Sequence, residues 1–309
     1  MRVLLTGATG FVGAYTLRAL VRGGEEVTLL LREGSDLWRI RELAKPEMIV
    51  RGDLRDFEKA REEIAARKPE VVIHSAWAGV GNKLRNDPSQ IDDNLMPTIH
   101  FFRACAEIGV KHFVGIGSQA EYGPLNRRIS ERDATEPTTL YGATKLATCA
   151  LLKQLAEQMG VRFAWLRIFS TYGPMEDSGW LIPYLIRTLL KGERPSLTAC
   201  EQKWDYLYGA DAGEAIYRTA VMPGAKGVFN LGSGQVYTLR RIVETIRDMI
   251  DPKLPLGIGE APYRPDQVMH LEADITRLKQ ATGWAPKTSI EEGLRESVRW
   301  WEAQQERTA

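Results

Sequence analysis

The hydrophobic positions of the chain form short apolar runs that alternate with longer segments of helical periodicity. The first run, residues 2–6, ends at a glycine, and a helical pattern over residues 11–21 follows it and stops at two further glycines. Short apolar runs predict buried parallel strands, and apolar residues spaced by three and four predict helices that pack on a sheet. Further strands are predicted at residues 27–31, 48–50, 71–74, 112–116 and 162–168.

Helical segments separate these strands. The segment 90–108 contains Pro97, which predicts a kink or a restart at Asn94 rather than one straight helix. Strands that alternate with helices imply right-handed crossovers, so we expect an α/β fold of the Rossmann type with a doubly wound parallel sheet. The other helices between strands are predicted at residues 37–44, 57–66 and 139–159.

The alternating pattern loosens beyond Gly173-Pro174. We therefore expect the sheet to be complete after residues 162–168. The chain is predicted to divide into a doubly wound domain over residues 1–172 and a smaller, discontinuous C-terminal lobe over residues 173–309, with some segments returning to the first domain. The helices predicted in the second part are residues 180–190, 210–221, 239–250 and 290–304.

Composition and charge exclude several classes of function. The 41 basic and 40 acidic side chains give a net charge of +1, and no basic run is longer than a pair, so we expect no nucleic-acid partner. Apolar runs of five or six residues are too short to cross a membrane, and the amino terminus has no secretory apolar segment, which predicts a cytoplasmic protein. The three cysteines are far apart and indicate neither a disulfide framework nor a metal site.

A glycine-rich loop lies between the first predicted strand and the first predicted helix. Its three glycines have the spacing G-x-x-G-x-x-G, at the place where the backbone of a dinucleotide-binding protein approaches a pyrophosphate. The alternative is a glycine-rich turn without a ligand, which the flanking strand and helix make less favourable. The predicted cofactor-binding residues of this loop are Gly7, Thr9, Gly10, Phe11, Val12 and Gly13.

The end of the second predicted strand carries the residue expected to select the cofactor. The carboxylate that would bind the ribose hydroxyls of NAD is absent near Leu31, and Arg32 stands there instead. An arginine can bind a 2′-phosphate through its planar guanidinium, so NADP is the predicted cofactor, with NAD as the alternative. Arg32 could also be a solvated charge at the end of a strand.

Three residues form the predicted catalytic group. Tyr141 and Lys145 are four residues apart at the start of a predicted helix and so share one face, while Ser118 follows the fifth predicted strand. Lowering the pKa of a phenol from about 10 to about 7 requires roughly 4 kcal/mol of preferential stabilisation of the phenolate. A nearby ammonium group supplies part of it. Tyr-x-x-x-Lys alone is common on helix surfaces, and Ser118 could simply cap a turn.

Taken together, these motifs resemble those of extended short-chain dehydrogenases/reductases of the NAD-dependent epimerase/dehydratase family. The resemblance covers nearly the whole chain. It is carried by TGATGFVG at residues 6–13, GD at 52–53, HSA at 74–76, Asn94, SQAEYG at 118–123, YGATK at 141–145, RIFSTYGP at 167–174, WDYLYGAD at 204–211, RPD at 264–266 and GWAP at 283–286.

The resemblance implies roles that spacing alone does not give. Tyr141 would be the general acid/base, Lys145 would hold the nicotinamide ribose, Ser118 would bind the sugar oxygen, and Asn94 would support the lysine and an active-site water. The C-terminal lobe would bind a nucleotide sugar, with Arg264 on the diphosphate, although Arg264 could also be a surface charge. Further implied cofactor contacts are Asp53 (at the adenine), Leu54, Ser75, Ala76 and Ile168, and further implied substrate contacts are Gln119, Ser170, Trp204 and Asp266.

Departures from the family pattern narrow the reaction. Dehydratases of the family carry Thr-Asp-Glu where this chain has Ser118-Gln119-Ala120, so dehydration is not expected. Ser170 and Trp204 replace an asparagine and an arginine found in many epimerases, which alters the expected phosphate contacts.

Three functions remain open. The favoured one is an NADP-dependent reductase of a nucleotide-linked 4-keto-6-deoxyhexose, and the alternative is an NAD-dependent nucleotide-sugar 4-epimerase. A non-catalytic dinucleotide-binding regulator is less favoured because Ser118, Tyr141 and Lys145 are all present. The resemblance also implies a homodimer formed through residues 104–108 and 147–155.

Overall fold

The computed structural model describes residues 1–264 and 267–306. Its strands follow the predicted apolar runs through the first half of the chain and become shorter in the second. They are β1 (Arg2–Thr6), β2 (Glu26–Leu31), β3 (Ile49–Arg51), β4 (Val71–His74), β5 (His112–Ser118), β6 (Arg127–Ile129), β7 (Arg162–Ile168), β8 (Ser170–Tyr172), β9 (Ser196–Leu197), β10 (Lys203–Trp204), β11 (Tyr206–Tyr208), β12 (Gly227–Leu231), β13 (Tyr237–Thr238), β14 (Gly257–Ile258) and β15 (His270–Ala273).

Within the described residues, seven parallel strands form one sheet in the order β12-β7-β5-β4-β1-β2-β3. The strand order reverses at β1 and β4, so the crossovers on either side run over opposite faces of the sheet. This is the predicted doubly wound architecture of the Rossmann type. Ligands of such folds lie beyond the carboxyl ends of the strands, near the reversal.

Helices cover both faces of this sheet. Leu17 of the first helix and Ile216 of the sixth belong to the apolar core on one face, whereas Phe101 of the third and Leu152 of the fourth belong to the core on the other. The helices are α1 (Phe11–Arg22), α2 (Glu58–Ala66), α3 (Met96–Glu107), α4 (Leu140–Gln158), α5 (Leu181–Leu190), α6 (Gly209–Val221), α7 (Leu239–Ile250), α8 (Thr276–Thr282) and α9 (Ile290–Glu306).

The prediction of a helix at residues 37–44 is wrong. The segment is a series of turns in which the amide of Ile40 donates to Leu37 and that of Leu43 donates to Ile40. The buried side chain of Arg39 explains the departure, because its guanidinium donates to the carbonyl oxygens of Thr9 at 3.1 Å and Met175 at 2.9 Å. These contacts with distant loops fix the backbone in turns despite its helical periodicity.

The expectation that the sheet is complete after residues 162–168 is also wrong. Strand β12 pairs in parallel with β7, with Phe229 opposite Leu166, and extends the sheet by one strand. Helix α6 precedes β12 and packs against α1, so this part of the second half of the chain lies on the sheet. The apolar residues of β12 were visible in the sequence, but its pairing partner is about sixty residues away.

The predicted break at Asn94 is confirmed. Residues Ile91–Leu95 form one wide π-helical turn, and the regular helix α3 begins at Met96. Pro97 occupies the first turn of α3, where the missing amide hydrogen costs no helical hydrogen bond.

The C-terminal helices have an apolar core of their own. Leu185 of α5, Ile242 of α7 and Leu294 of α9 are buried together, beside the carboxyl edge of the sheet where β8 pairs with β11. No helix within residues 1–264 and 267–306 combines the length and apolar character needed to cross a lipid bilayer.

His74, at the carboxyl end of β4, is buried as a neutral side chain. Its two ring nitrogens lie 2.9 Å from the hydroxyl of Thr6 and 3.1 Å from the hydroxyl of Thr98. Burial, with a smaller contribution from the charge of Lys145, lowers the pKa of His74 from its usual 6.5 to about 3. The folded protein therefore binds this proton much less readily than the unfolded chain does.

This difference predicts acid sensitivity. As the pH falls from 6.5 toward 3, the unfolded chain takes up a proton at His74 that the folded protein does not, so stability falls by up to about 1.4 kcal/mol per pH unit. Urea denaturation of wild type and His74→Gln at several pH values gives the free energy of unfolding, and its slope against pH is the quantity compared. The slope should become shallower in His74→Gln and stay unchanged in the control His100→Gln, which alters an exposed histidine.

Candidate active site

The glycine-rich loop joins β1 to α1 at the carboxyl edge of the sheet. A Cβ at Gly13 would lie 2.0 Å from the carbonyl oxygen of Gly7, so only glycine allows the helix to pack this closely on the loop. A Cβ at Gly10 would meet only the Gly7 oxygen, at 3.4 Å, which leaves that face of the loop open. The first amides of α1 have no acceptor in the helix and no side-chain cap, so they can donate to a pyrophosphate.

Neighbouring strand ends complete the predicted cofactor groove. The amide of Ser75 donates to the backbone oxygen of Thr6 at 3.3 Å, and that of Ala76 donates to its hydroxyl at 3.3 Å, so both residues lie beside the glycine-rich loop. Ile168 ends β7 opposite Ser118.

The predicted adenosine end of the groove carries several charges. Arg32 is exposed directly after β2, and its carbonyl oxygen accepts from Arg51 at 3.0 Å. Asp53, before the turn that begins at Leu54, forms an ion pair with Arg55 at 2.9 Å. The hydrogen bond with Arg55 lowers the pKa of Asp53, and the positive charge of Arg32 acts in the same direction.

Arg39 is a site residue that the sequence interpretation missed. Besides the Thr9 and Met175 carbonyls, its guanidinium binds the carboxylate of Asp177 at 2.5 Å. It thus ties the glycine-rich loop to the loop that follows β8. A buried arginine inside a predicted helix gives no sequence signal for such a contact.

The three predicted catalytic residues meet at the carboxyl end of β5. Ser118, Tyr141 and Lys145 are 7%, 5% and 4% exposed, and the Ser118 side chain lies close enough to the Tyr141 hydroxyl to act on its pKa. The ammonium nitrogen of Lys145 donates to the Ile116 carbonyl at 2.6 Å and lies 3.5 Å from the centre of the Trp77 ring.

Burial shifts the two titrating groups in opposite directions. It raises the pKa of Tyr141, against which the Ser118 hydrogen bond and the charge of Arg85 act. It lowers the pKa of Lys145 to about 7, with the carboxylate of Glu121 opposing this change. Neutral pH is therefore a range in which the lysine itself titrates.

Glu121 positions Ser118 and was not assigned a role from the sequence. Its carboxylate is fully buried and accepts from the Ser118 amide at 2.9 Å, from the Trp165 indole at 2.9 Å and from Arg167 at 2.7 Å. The Ser118 hydroxyl accepts in return from the Ala120 amide, which forms a capping box.

Asn94 is buried at the wide turn before α3. Its side-chain oxygen accepts from the Ala78 amide at 2.7 Å, and its nitrogen donates to the carbonyl oxygens of Ala78 and Gln90. In the described part of the chain Asn94 bonds to the loop that carries Trp77 and has no hydrogen bond to Lys145.

The predicted substrate residues come from both parts of the chain. Gln119 begins the turn after β5, and Ser170 is half-buried in β8 opposite Tyr206. Trp204 donates its indole hydrogen to the Val268 carbonyl at 3.1 Å, and the neighbouring Asp205 is fully buried among backbone amides. Arg264 is among the described residues, whereas Asp266 lies outside them.

The parallel sheet, the open glycine-rich loop and the buried Ser-Tyr-Lys group together define a dinucleotide-binding α/β protein. A family model described as the NAD dependent epimerase/dehydratase family matches residues 3–232, and the chain belongs to this family.

Curated relatives match over nearly the whole chain. The UDP-glucose 4-epimerase of Corynebacterium glutamicum is 27% identical, covering 93% of this chain and 91% of its own. A probable UDP-glucuronate 4-epimerase of Rhizobium meliloti is 28% identical, covering 98% and 97%.

Solved structures of similar fold also match over nearly the whole chain. The Thermus thermophilus UDP-glucose 4-epimerase in complex with NAD is 27% identical with a TM-score of 0.85, covering 98% of this chain and 99% of its own. The UDP-N-acetylglucosamine 4-epimerase from Methanobrevibacter ruminantium, in complex with UDP-N-acetylmuramic acid, is 26% identical with a TM-score of 0.87, covering 98% of both chains.

The close packing of the glycine-rich loop predicts that Gly13→Ala weakens cofactor binding. The added methyl would collide with the Gly7 carbonyl and displace the loop, so the Kd for the dinucleotide should rise at least about tenfold, or about 1.4 kcal/mol. Calorimetry measures the Kd, and circular dichroism checks that the variant is folded. The control Gly179→Ala introduces a methyl into open space and should leave the Kd unchanged.

Proposed function

We propose that this protein is an NAD-dependent 4-epimerase of a nucleotide sugar. The observation that carries the proposal is the buried contact between Tyr141 and Ser118 at the carboxyl end of β5, beside the open glycine-rich loop. Its curated full-length relatives include 4-epimerases of UDP-glucose and UDP-glucuronate, which favours this reaction over a net reduction.

Each part of the site has a task in this reaction. NAD, when bound, supplies reversible acceptance of a hydride. The amides of Phe11, Val12 and Gly13 would hold its pyrophosphate, and Lys145 its nicotinamide ribose. Tyr141 would take the proton of the sugar 4-hydroxyl during oxidation and return it after the sugar has turned its other face, while Ser118 would hold the same oxygen in place.

The turn after Ser118 argues against dehydration. Elimination of water needs an additional acid and base, and Gln119 and Ala120 carry no carboxyl group. The first carboxylate after them belongs to Glu121, which is fully buried and bonded to Arg167 and Trp165. It is therefore not placed to serve as an acid or base for the substrate.

A second candidate is the NADP-dependent reduction of a nucleotide-linked 4-keto-6-deoxyhexose. It is favoured by Arg32, which is exposed at the end of β2 close to Arg51 and Arg55, where a 2′-phosphate would be expected.

The C-terminal lobe and the outer helices suggest the partners. The lobe would bind the nucleotide, with Ser170, Trp204 and Arg264 near its phosphates. Three apolar side chains are exposed on this side of the protein: Met96 on α3, Leu151 on α4 and Met159 directly after α4. They support a homodimer formed through these two helices.

One pair of assays separates the two reactions. Purified protein is incubated with UDP-glucose, UDP-galactose or UDP-glucuronate, and isomerised sugar is measured by chromatography without added cofactor. Separately, loss of NADPH and of NADH absorbance is followed with nucleotide-linked 4-keto-6-deoxyhexoses. We expect isomerised sugar and no stoichiometric cofactor consumption. Consumption of NADPH without isomerisation would contradict the epimerase and support the reductase.

Tyr141→Phe should lose most turnover while keeping the cofactor. Removing the hydroxyl removes the proton carrier, which contributes typically 10²–10⁴-fold to the rate, whereas the buried ring remains in place. Turnover is measured at saturating substrate, and bound dinucleotide by absorbance after denaturation. Tyr184→Phe, on the exposed side of α5, is the matched control. Wild-type turnover in Tyr141→Phe would refute the assigned role.

A further inference from the structure

Arg85 lies in the loop after β4, directly over the first turn of α4. Its carbonyl oxygen accepts from the amide of Tyr141 at 2.8 Å, and the neighbouring Asn86 side chain accepts from the amide of Leu140 at 3.1 Å. These amides would otherwise lack acceptors at the start of the helix. The loop therefore caps α4 and fixes Arg85 beside Tyr141.

The guanidinium of Arg85 faces the aromatic ring of Tyr141. The central carbon of the guanidinium is 4.9 Å from the ring centre, a cation–π distance. Its Nε atom is buried without a hydrogen-bond partner, and none of the described carboxylates lies within ion-pair distance of the side chain. A buried donor without a partner costs free energy, so an arginine here needs a compensating interaction.

Lys145 lies near the same tyrosine, but its charge depends on pH, unlike that of Arg85. Its nitrogen is 6.0 Å from the centre of the Tyr141 ring, donates to the Ile116 carbonyl and lies against Trp77. Burial brings its pKa to about 7, so part of the population is neutral at physiological pH. An arginine, by contrast, stays charged at any pH that proteins tolerate. Arg85 is thus a permanent positive charge beside Tyr141.

We propose that Arg85 is a positioning residue for the acid/base step, a fixed cation that favours the phenolate form of Tyr141 and holds its ring against Ser118. This inference rests on the proposed role of Tyr141 as proton carrier. The other groups that face Tyr141 are the ammonium of Lys145 on α4, the hydroxyl of Ser118 at the end of β5 and the carboxylate of Glu121 in the turn that follows. The carboxylate opposes the phenolate but is paired with Arg167, whereas the Ser118 hydroxyl and the Arg85 cation both favour the phenolate.

The test compares Arg85→Gln, Arg85→Lys and Arg132→Gln by the pH dependence of kcat. Oxidation of the sugar needs the phenolate, so activity rises with pH as Tyr141 ionises. Loss of the cation in Arg85→Gln should move this rise to higher pH by about one unit. Arg85→Lys keeps the charge and should restore most of the shift. Arg132→Gln removes an exposed arginine elsewhere and should leave the profile in place.

An unmoved profile in Arg85→Gln would overturn the proposal. So would a rise of KM confined to sugars that carry a carboxylate, because it would make Arg85 a ligand of the substrate instead. Equal losses in Arg85→Gln and Arg85→Lys, with no change of the profile, would reduce Arg85 to a structural residue.

A second readout separates this proposal from the proposed function. Near-ultraviolet titration of wild type minus Tyr141→Phe isolates the ionisation of Tyr141 without any turnover. The same difference in the Arg85→Gln background should show a higher pKa of Tyr141. If the protein turns over no nucleotide sugar but this shift is present, the proposed function fails and the role of Arg85 stands. If turnover is present without the shift, the role of Arg85 fails alone.

Discussion

The buried carboxylate of Glu121 is the interaction on which the active site depends. A charge in the interior is tolerated only when it is paired and hydrogen-bonded, and this one receives Arg167, Trp165 and the Ser118 amide. The contacts join β5 to β7 and fix the turn from which Ser118 faces Tyr141. Gly117 makes room for them, since a Cβ there would lie 2.2 Å from the Trp165 indole nitrogen and 2.4 Å from the carboxylate.

Most of the fold could be predicted because its signals are local. A stretch of a few residues is enough to identify an apolar run such as β1 or β4. The same holds for the glycines that end α1 and for the break before α3. The two failures have a non-local cause. The turns at residues 37–44 follow from contacts of Arg39 with Thr9 and Met175, and β12 depends on a partner strand far away in the chain.

The residues of the candidate site also fall into two groups, those predictable from local sequence signals and those that depend on contacts between distant residues. The spacing of Tyr141 and Lys145 on a helix follows from periodicity, and their meeting with Ser118 follows from the topology of a parallel sheet. Glu121 and Arg85 could not be assigned in this way. The Ser-x-x-Glu spacing of a capping box could have placed Glu121 against the Ser118 amide, but its contacts with Trp165 and Arg167 arise only after folding. An arginine in a loop has no distinctive pattern in the sequence. Asn94 was placed correctly at the break, but its bonds go to Ala78 and Gln90.

Arg39 joins the two sides of the candidate binding cleft. One guanidinium bonds to the backbone of the glycine-rich loop and to the loop that leads into the C-terminal lobe, through Met175 and Asp177. Any opening of the loop that lets a dinucleotide escape must therefore either break these bonds or drag the lobe with it. For the proposed epimerase, which would reuse the same nicotinamide in every cycle, this linkage would help to keep the dinucleotide in place between cycles.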